Sequence, residues 1–113
     1  MTDCLFCKIA TKEIDSQVVA ETEHALAFRD INPAAPTHVL VIPKEHIASA
    51  QELGAGHAEL LGELFALMGK VGAGEDLGGG HRLVTNVGRD GGQTVDHLHF
   101  HVLGGRAMTW PPG

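Results

Sequence analysis

Residues 96–105 read DHLHFHVLGG, and the spacing inside this stretch decides how the chain is read. In an extended strand successive side chains point to opposite faces. His97, His99 and His101 therefore share one side, and Leu98, Phe100 and Val102 share the other. The second side belongs in a core; the first presents three imidazoles in a row. Beyond a merely polar strand face, three uses compete for such a row. Two His at i and i+2 can share a catalytic metal that keeps one position open for water. One imidazole can attack an electrophile while its neighbours bind or protonate the departing atoms. Or the set is divided, one His serving a structural metal and two doing chemistry.

The loop that feeds this strand, NVGRDGGQTVD, narrows the choice. Gly88, Gly91 and Gly92 allow a backbone to come close to a ligand, and Gln93 and Thr94 add neutral donors. A donor well placed on a developing oxyanion is worth about 3 kcal/mol. The GxxxxGK[ST] phosphate loop is missing, so any phosphate here is held by a smaller cradle. Joined to the three-histidine strand, that cradle favours phosphate chemistry.

Working outward, HRLVTNVG (81–88) is a further strand, reached through the glycine-rich EDLGGG. From about Gly56, Leu60, Leu61, Leu64, Phe65, Leu67, Met68 and Val71 recur at helical intervals. This is the one long amphipathic helix. Gly62, Gly69 and Gly72 cost it about 1 kcal/mol each relative to Ala, so tertiary packing must hold it. HVLVIP (38–43) is a strongly β-forming run that follows a loop punctuated by Pro33 and Pro36. SQVVAET and HALAFRD form a hairpin that turns around Glu23. Residues 5–14 make a short helix, with Leu5, Phe6 and Ile9 at helical spacing. The expected fold is α+β: a five-stranded antiparallel sheet, one long helix and a short N-terminal helix, in a single domain over 1–113.

Composition sets limits on function. The chain has 113 residues, 43% of them hydrophobic, and a formal net charge of −6 with no concentration of Lys or Arg. That argues against a nucleic-acid partner, whose binding is usually carried by a basic surface. No apolar run approaches the roughly 20 residues of a membrane helix, and MTDCLFCKIATKEI does not read as a secretory signal. The expectation is a soluble cytoplasmic protein without a membrane partner. Cys4 and Cys7, in C-L-F-C, suit half a metal site or a redox pair. Two thiolates cannot close a tetrahedral zinc shell, so further ligands would come from distant residues, with the histidines the obvious source.

His97-Leu98-His99-Phe100-His101-Val102-Leu103 resembles the signature of the histidine triad (HIT) superfamily of nucleotide hydrolases and transferases. KEI, AFRDINPAAPTHVLVIPKEHI, NVGRDGGQTVDHLHFHVLGGRAMTWPPG and the final WPPG extend the likeness over nearly the whole chain. Together they resemble the Hint-type purine nucleoside phosphoramidases. The resemblance implies that His99 attacks the α-phosphorus and forms a nucleotidyl intermediate that water hydrolyses. The His97 carbonyl would hold its other nitrogen. His101 would contact the phosphate or bridging atom, and His38 would stand close to the reacting centre. Gln93 and Thr94, with Gly92 in the same loop, would bind phosphate oxygens, and Thr94 would assist the leaving group. Asn86 would contact phosphate and ribose, and Asp30 the ribose hydroxyls. Leu5, Phe6, Ile9, Phe28 and Ile31 would sandwich a purine. Cys4, Cys7, His46 and His97 would close a structural zinc shell, with no catalytic cofactor.

The same resemblance implies a two-fold homodimer in which the tail, 106–113, carries Trp110 towards the partner's site. The expected activity is hydrolysis of adenosine or guanosine 5′-phosphoramidates and related adenylates. Three alternatives remain at this point. One is a dinucleoside polyphosphate hydrolase of the same superfamily. Another is a nucleotide-binding regulatory protein with incidental catalysis. The third is a metal-dependent hydrolase that uses all three histidines.

Overall fold

In the computed structural model, which describes residues 3–113, five strands form one antiparallel sheet. They are β1 (Val18–Glu21), β2 (Ala25–Arg29), β3 (Thr37–Pro43), β4 (Arg82–Val84) and β5 (Phe100–Gly104), in the order β1-β2-β3-β5-β4. Helices α1 (Leu5–Ala10) and α2 (Ala58–Gly74) complete the fold, with two single 3-10 turns, Ala50–Glu52 and Ala55–His57, leading into α2. The α+β architecture read from the sequence is the observed one.

The period-2 rule sorts side chains into two cores on opposite faces of the sheet. Ala25 and Ala27 of β2, Val39 and Val41 of β3, and Leu98, Phe100 and Val102 pack against Leu64, Leu67, Met68 and Val71 of α2. The intervening residues, Leu26, Phe28, Leu40 and Ile42, pack with Phe6 and Ile9 of α1. This explains why β2 and β3 are apolar almost without interruption: both of their faces are covered. Register places Leu40 opposite His101 and Val41 opposite Phe100, so His101 lies on the α1 side of the sheet.

Two polar clamps orient α2. Glu63 accepts hydrogen bonds from Thr22 Oγ1 (2.5 Å) and from the His24 backbone N–H (2.7 Å), and pairs with His24 Nδ1 (2.9 Å). The Thr22 and His24 donors hold its carboxyl down to about 2. At the other end, Arg29 donates from both terminal nitrogens to Glu75 (2.8 and 2.9 Å), tying β2 to the end of the helix. Gly72 lies under the His81 ring, where a Cβ would come within 2.9 Å, whereas Gly62 and Gly69 face open space. Gly104 is required by close packing: a Cβ there would meet Leu77 Cδ2 at 2.7 Å.

Three boundaries differ from the sequence reading. Helix α1 stops at Ala10 instead of running to 14, because the chain turns at Lys12 into the left-handed region (φ 68°). Strand β4 has three residues, and β5 starts at Phe100, so His97 and His99 precede the regular ladder. Their backbone is held by other partners: Leu98 N–H donates to Ile47 O (2.6 Å), and Thr85 Oγ1 donates to His99 O (2.8 Å). The alternation survives without a ladder partner, and His97 and His99 are 0% and 4% exposed. Among the described residues no helix is long and apolar enough to cross a membrane.

Candidate active site and metal centre

The tautomer of His99 is set by a backbone carbonyl two residues earlier. Its Nδ1–H donates to the His97 carbonyl (2.7 Å). A carbonyl can only accept, so the proton of the neutral ring sits on Nδ1 and Nε2 keeps its lone pair. The edge of the Phe6 ring packs against the imidazole, with centroids 5.1 Å apart.

His97 plays the complementary part. Its Nε2–H donates to Pro43 O (2.8 Å), which leaves the lone pair on Nδ1. That atom lies 3.3 Å from Cys4 Sγ and 3.5 Å from Cys7 Sγ. His46 Nδ1 lies 3.3 Å from Cys7 Sγ, and the four donor atoms fall within 4.8 Å of one another. Two thiols and two imidazole lone pairs make a soft, closed Cys₂His₂ set, the donor chemistry of a structural zinc site. The Pro43 carbonyl fixes the His97 ring from behind, as outer partners of metal-bound histidines do. Cys4 also caps α1, its sulfur accepting from Cys7 N–H (3.3 Å). Burial and the neighbouring Cys4 push the Cys7 thiol up, a direction that a bound dication reverses.

His101, His38 and Asp30 form a second group, also with donor atoms within 4.8 Å of one another. His38 Nε2 is 2.9 Å from His101 Nδ1, and Ala34 N–H donates to His38 Nδ1 (3.0 Å). Asp30 places Oδ2 3.5 Å from His38 Nε2, while its Oδ1 accepts from Asn32 N–H (2.8 Å). Burial, then the nearby His99 and His38, lowers His101 to about 4; burial also lowers His38, against the pull of Asp30. Both rings are neutral near pH 7.

His99, His101 and Asp30 meet at a pocket of about 360 Å³ on the α1 side of the sheet. Leu5, Phe6, Ile9, Phe28, Asp30, Ile31, Thr94, His99 and His101 all line it. Ile31, 91% exposed, forms an apolar lip. Leu40 and Val95 complete the floor, and Ile14, Asp15, Ser16 and Asn32 complete the rim. Leu40 was readable from strand parity with Leu26 and Phe28. Asp15 and Ser16 carried no signal. A larger open cleft of about 740 Å³, between residues 76–83 and 105–108, contains none of the expected site residues.

Asn86, Gly92, Gln93 and Trp110 are not in the pocket lining of their own chain. Asn86 Nδ2 donates to Gly91 O (2.7 Å). Gln93 spends its whole amide on backbone groups: Nε2 donates to Ala48 O (2.7 Å) and Val95 O (2.9 Å), and Oε1 accepts from Gly88 N–H (2.9 Å). In this arrangement both side chains brace the loop that presents Thr94. Gly91 is needed there because a Cβ would sit 2.3 Å from the Val87 carbonyl oxygen. Trp110 is 82% exposed.

A buried histidine strand on a five-stranded sheet, opening on an apolar pocket with a carboxylate, defines a histidine-triad protein. The chain belongs to the HIT domain family, whose model matches residues 11–108. It is 50% identical to an uncharacterized HIT-like protein of Synechococcus elongatus over 111 residues, covering 98% of this chain and 97% of that protein. It is 51% identical to a 14 kDa zinc-binding protein of Zea mays over 114 residues, covering 96% and 87%. The crystal structure of a HIT family hydrolase from Legionella pneumophila superposes with a TM-score of 0.96 at 53% identity, covering 98% and 100%.

Proposed function

We propose that this protein is a hydrolase of purine nucleoside 5′-phosphoramidates and related adenylates, of the Hint type. The observation that carries the reading is His99, whose Nε2 lone pair is directed by the His97 carbonyl at the base of a nucleotide-sized pocket. Phe6, Ile9, Phe28 and Ile31 take the base. Asp30 accepts from the ribose hydroxyls, and the triad end takes the phosphate. His99 Nε2 attacks the α-phosphorus, forming an N–P bond as the P–N bond to the leaving amine breaks. The amine departs with the electron pair and a proton relayed from solvent by the Thr94 hydroxyl. Water then cleaves the phospho-imidazole, releasing the nucleoside monophosphate and restoring His99. The Legionella hydrolase supports this class of reaction.

Zinc held by Cys4, Cys7, His46 and His97 supplies structural cross-linking in this reading, and the zinc-binding maize relative supports it. Two unbridged cysteines suit a reducing compartment such as the cytoplasm. The reading includes a two-fold dimer. Phe65 and Leu83 are 50% and 40% exposed, and nothing among the described residues packs against the helix-weakening Gly62 and Gly69 on the outer side of α2. A second copy accounts for all four and gives the 106–113 tail a partner site. Light scattering is expected to give twice the chain mass.

The test of the chemistry is mass spectrometry of the protein quenched during turnover of adenosine 5′-phosphoramidate. One nucleotidyl group on His99 is expected and, with a single diastereomer of the phosphorothioate analogue in ¹⁸O-water, net retention of configuration at phosphorus from two displacements. Turnover without an adduct and with inversion would mean direct attack by water, and would overturn the mechanism.

A further inference from the structure

We propose that the backbone amide of Ala34 sets the direction of the hydrogen-bond chain through His38 to His101, so that His101 meets the phosphate as an Nε2–H donor. The regulating atom is thus a main-chain N–H in a loop, not a side chain.

The argument follows the protons. An amide N–H can only donate, and Ala34 N lies 3.0 Å from His38 Nδ1, so that nitrogen accepts. A neutral imidazole carries one proton, which for His38 must then sit on Nε2. That atom is 2.9 Å from His101 Nδ1, so His38 donates and His101 accepts. The single proton of His101 is left on Nε2. Asp30 Oδ2, 3.5 Å from His38 Nε2, is an acceptor beside the nitrogen assigned the proton, and favours the same direction. Burial keeps both rings neutral, so neither nitrogen pair is obscured by a second proton. The reverse chain would set the Ala34 N–H against a His38 Nδ1–H, two donors facing each other in a largely buried site.

The loop sequence keeps this donor in place. Pro33 and Pro36 flank Ala34 and Ala35, each with φ fixed by its ring and no N–H of its own. Asn32 N–H is already committed to Asp30 Oδ1. The same bookkeeping explains why the Asp30–His38–His101 group, although spaced like a ligand set, is kept for protons. Both nitrogens of His38 are engaged, and the His101 Nδ1 lone pair is taken. A cation would have to break the chain from Ala34 onward. Ala34 is a positioning residue: it acts on substrate only through His38 and His101. Its consequence for catalysis rests on the function proposed above, whereas the proton placement does not.

The test begins with long-range ¹H–¹⁵N correlation spectra of histidine-labelled protein at neutral pH without nucleotide. His38 and His101 are both expected as Nε2–H tautomers with Nδ1 accepting. Replacing the residue 34 amide by an ester removes the N–H and leaves the methyl group. His38 is then expected to populate Nδ1–H, His101 to follow, and kcat to fall by about 10²-fold with KM little changed. A second series guards against a disturbed loop. His38→Gln, whose carbonyl can accept from Ala34 while its NH₂ donates to His101, is expected to recover most of what His38→Ala loses. An Nδ1–H tautomer on His101 in the unmodified protein would overturn the proposal. So would an ester variant with unchanged tautomers, or a His38→Gln variant no better than His38→Ala. The expected tautomers in a protein inactive on phosphoramidates would sink the proposed reaction and leave the proton assignment standing.

Discussion

His99→Ala is expected to lower kcat on adenosine 5′-phosphoramidate by roughly 10⁴- to 10⁶-fold, the range seen when a covalent nucleophile is removed. Binding of AMP should change little. In the proposed reading the base and ribose are held by Ile9, Phe28 and Asp30 as well as Phe6, and these side chains remain in the pocket lining when the imidazole is removed. The loss should therefore fall on kcat and leave KM nearly constant, the pattern of an interaction made only on the way to the transition state. The ring is 4% exposed and wedged against Phe6, so alanine leaves a small void that the surrounding sheet can tolerate. Calorimetric titration with AMP and steady-state kinetics on the same preparation separate the two effects. Turnover within tenfold of wild type would remove His99 from the chemistry.

Stripping the metal is expected to lower the thermal midpoint by about 10 °C or more, since a tightly held ion stabilises only the folded state. The reason is local. Helix α1 has six residues, far below the roughly 12–15 at which an isolated helix becomes even marginal. Cys4 caps it, Cys7 lies in its first turn, and its inner side supplies Phe6 and Ile9 to one core. Without an ion across Cys4, Cys7, His46 and His97, that segment keeps only its apolar contacts. A Cys4→Ala/Cys7→Ala double variant should bind no zinc by elemental analysis and melt at the lower temperature irrespective of chelator. An unchanged midpoint after verified metal loss would show that the cluster is not structural.

The most legible parts of the sequence were those where one physical period repeats. Alternation over 97–102 placed three histidines opposite three core residues even though regular β-structure starts only at Phe100. Helical spacing marked Leu64, Leu67, Met68 and Val71, which are buried, but it also included Phe65, which is half exposed. Strand lengths were less legible, because β4 ends where Thr85 turns its hydroxyl to the His99 carbonyl, a contact between distant residues. The loop's composition and the resemblance make Gln93 a phosphate ligand, yet its amide is consumed by Gly88, Val95 and Ala48, and the last of these is distant in sequence. The pocket wall came from the resemblance; periodicity alone would have made Phe6 and Phe28 ordinary core. Ala34 was invisible, because its contribution is an N–H that every residue except proline carries.

The two-faced sheet also governs which substitutions evolution can try independently. In β2 and β3 the odd-numbered positions 25, 27, 39 and 41 support α2, while the even-numbered 26, 28, 40 and 42 support α1 and the pocket beside it. Around β5 the parity reverses, with 98, 100 and 102 beneath α2 and 97, 99 and 101 on the α1 side. Variation can therefore accumulate at one parity as changes in robustness, and at the other as changes in ligand preference, within the same short strands. Neighbouring residues of one short strand thus serve different halves of the molecule.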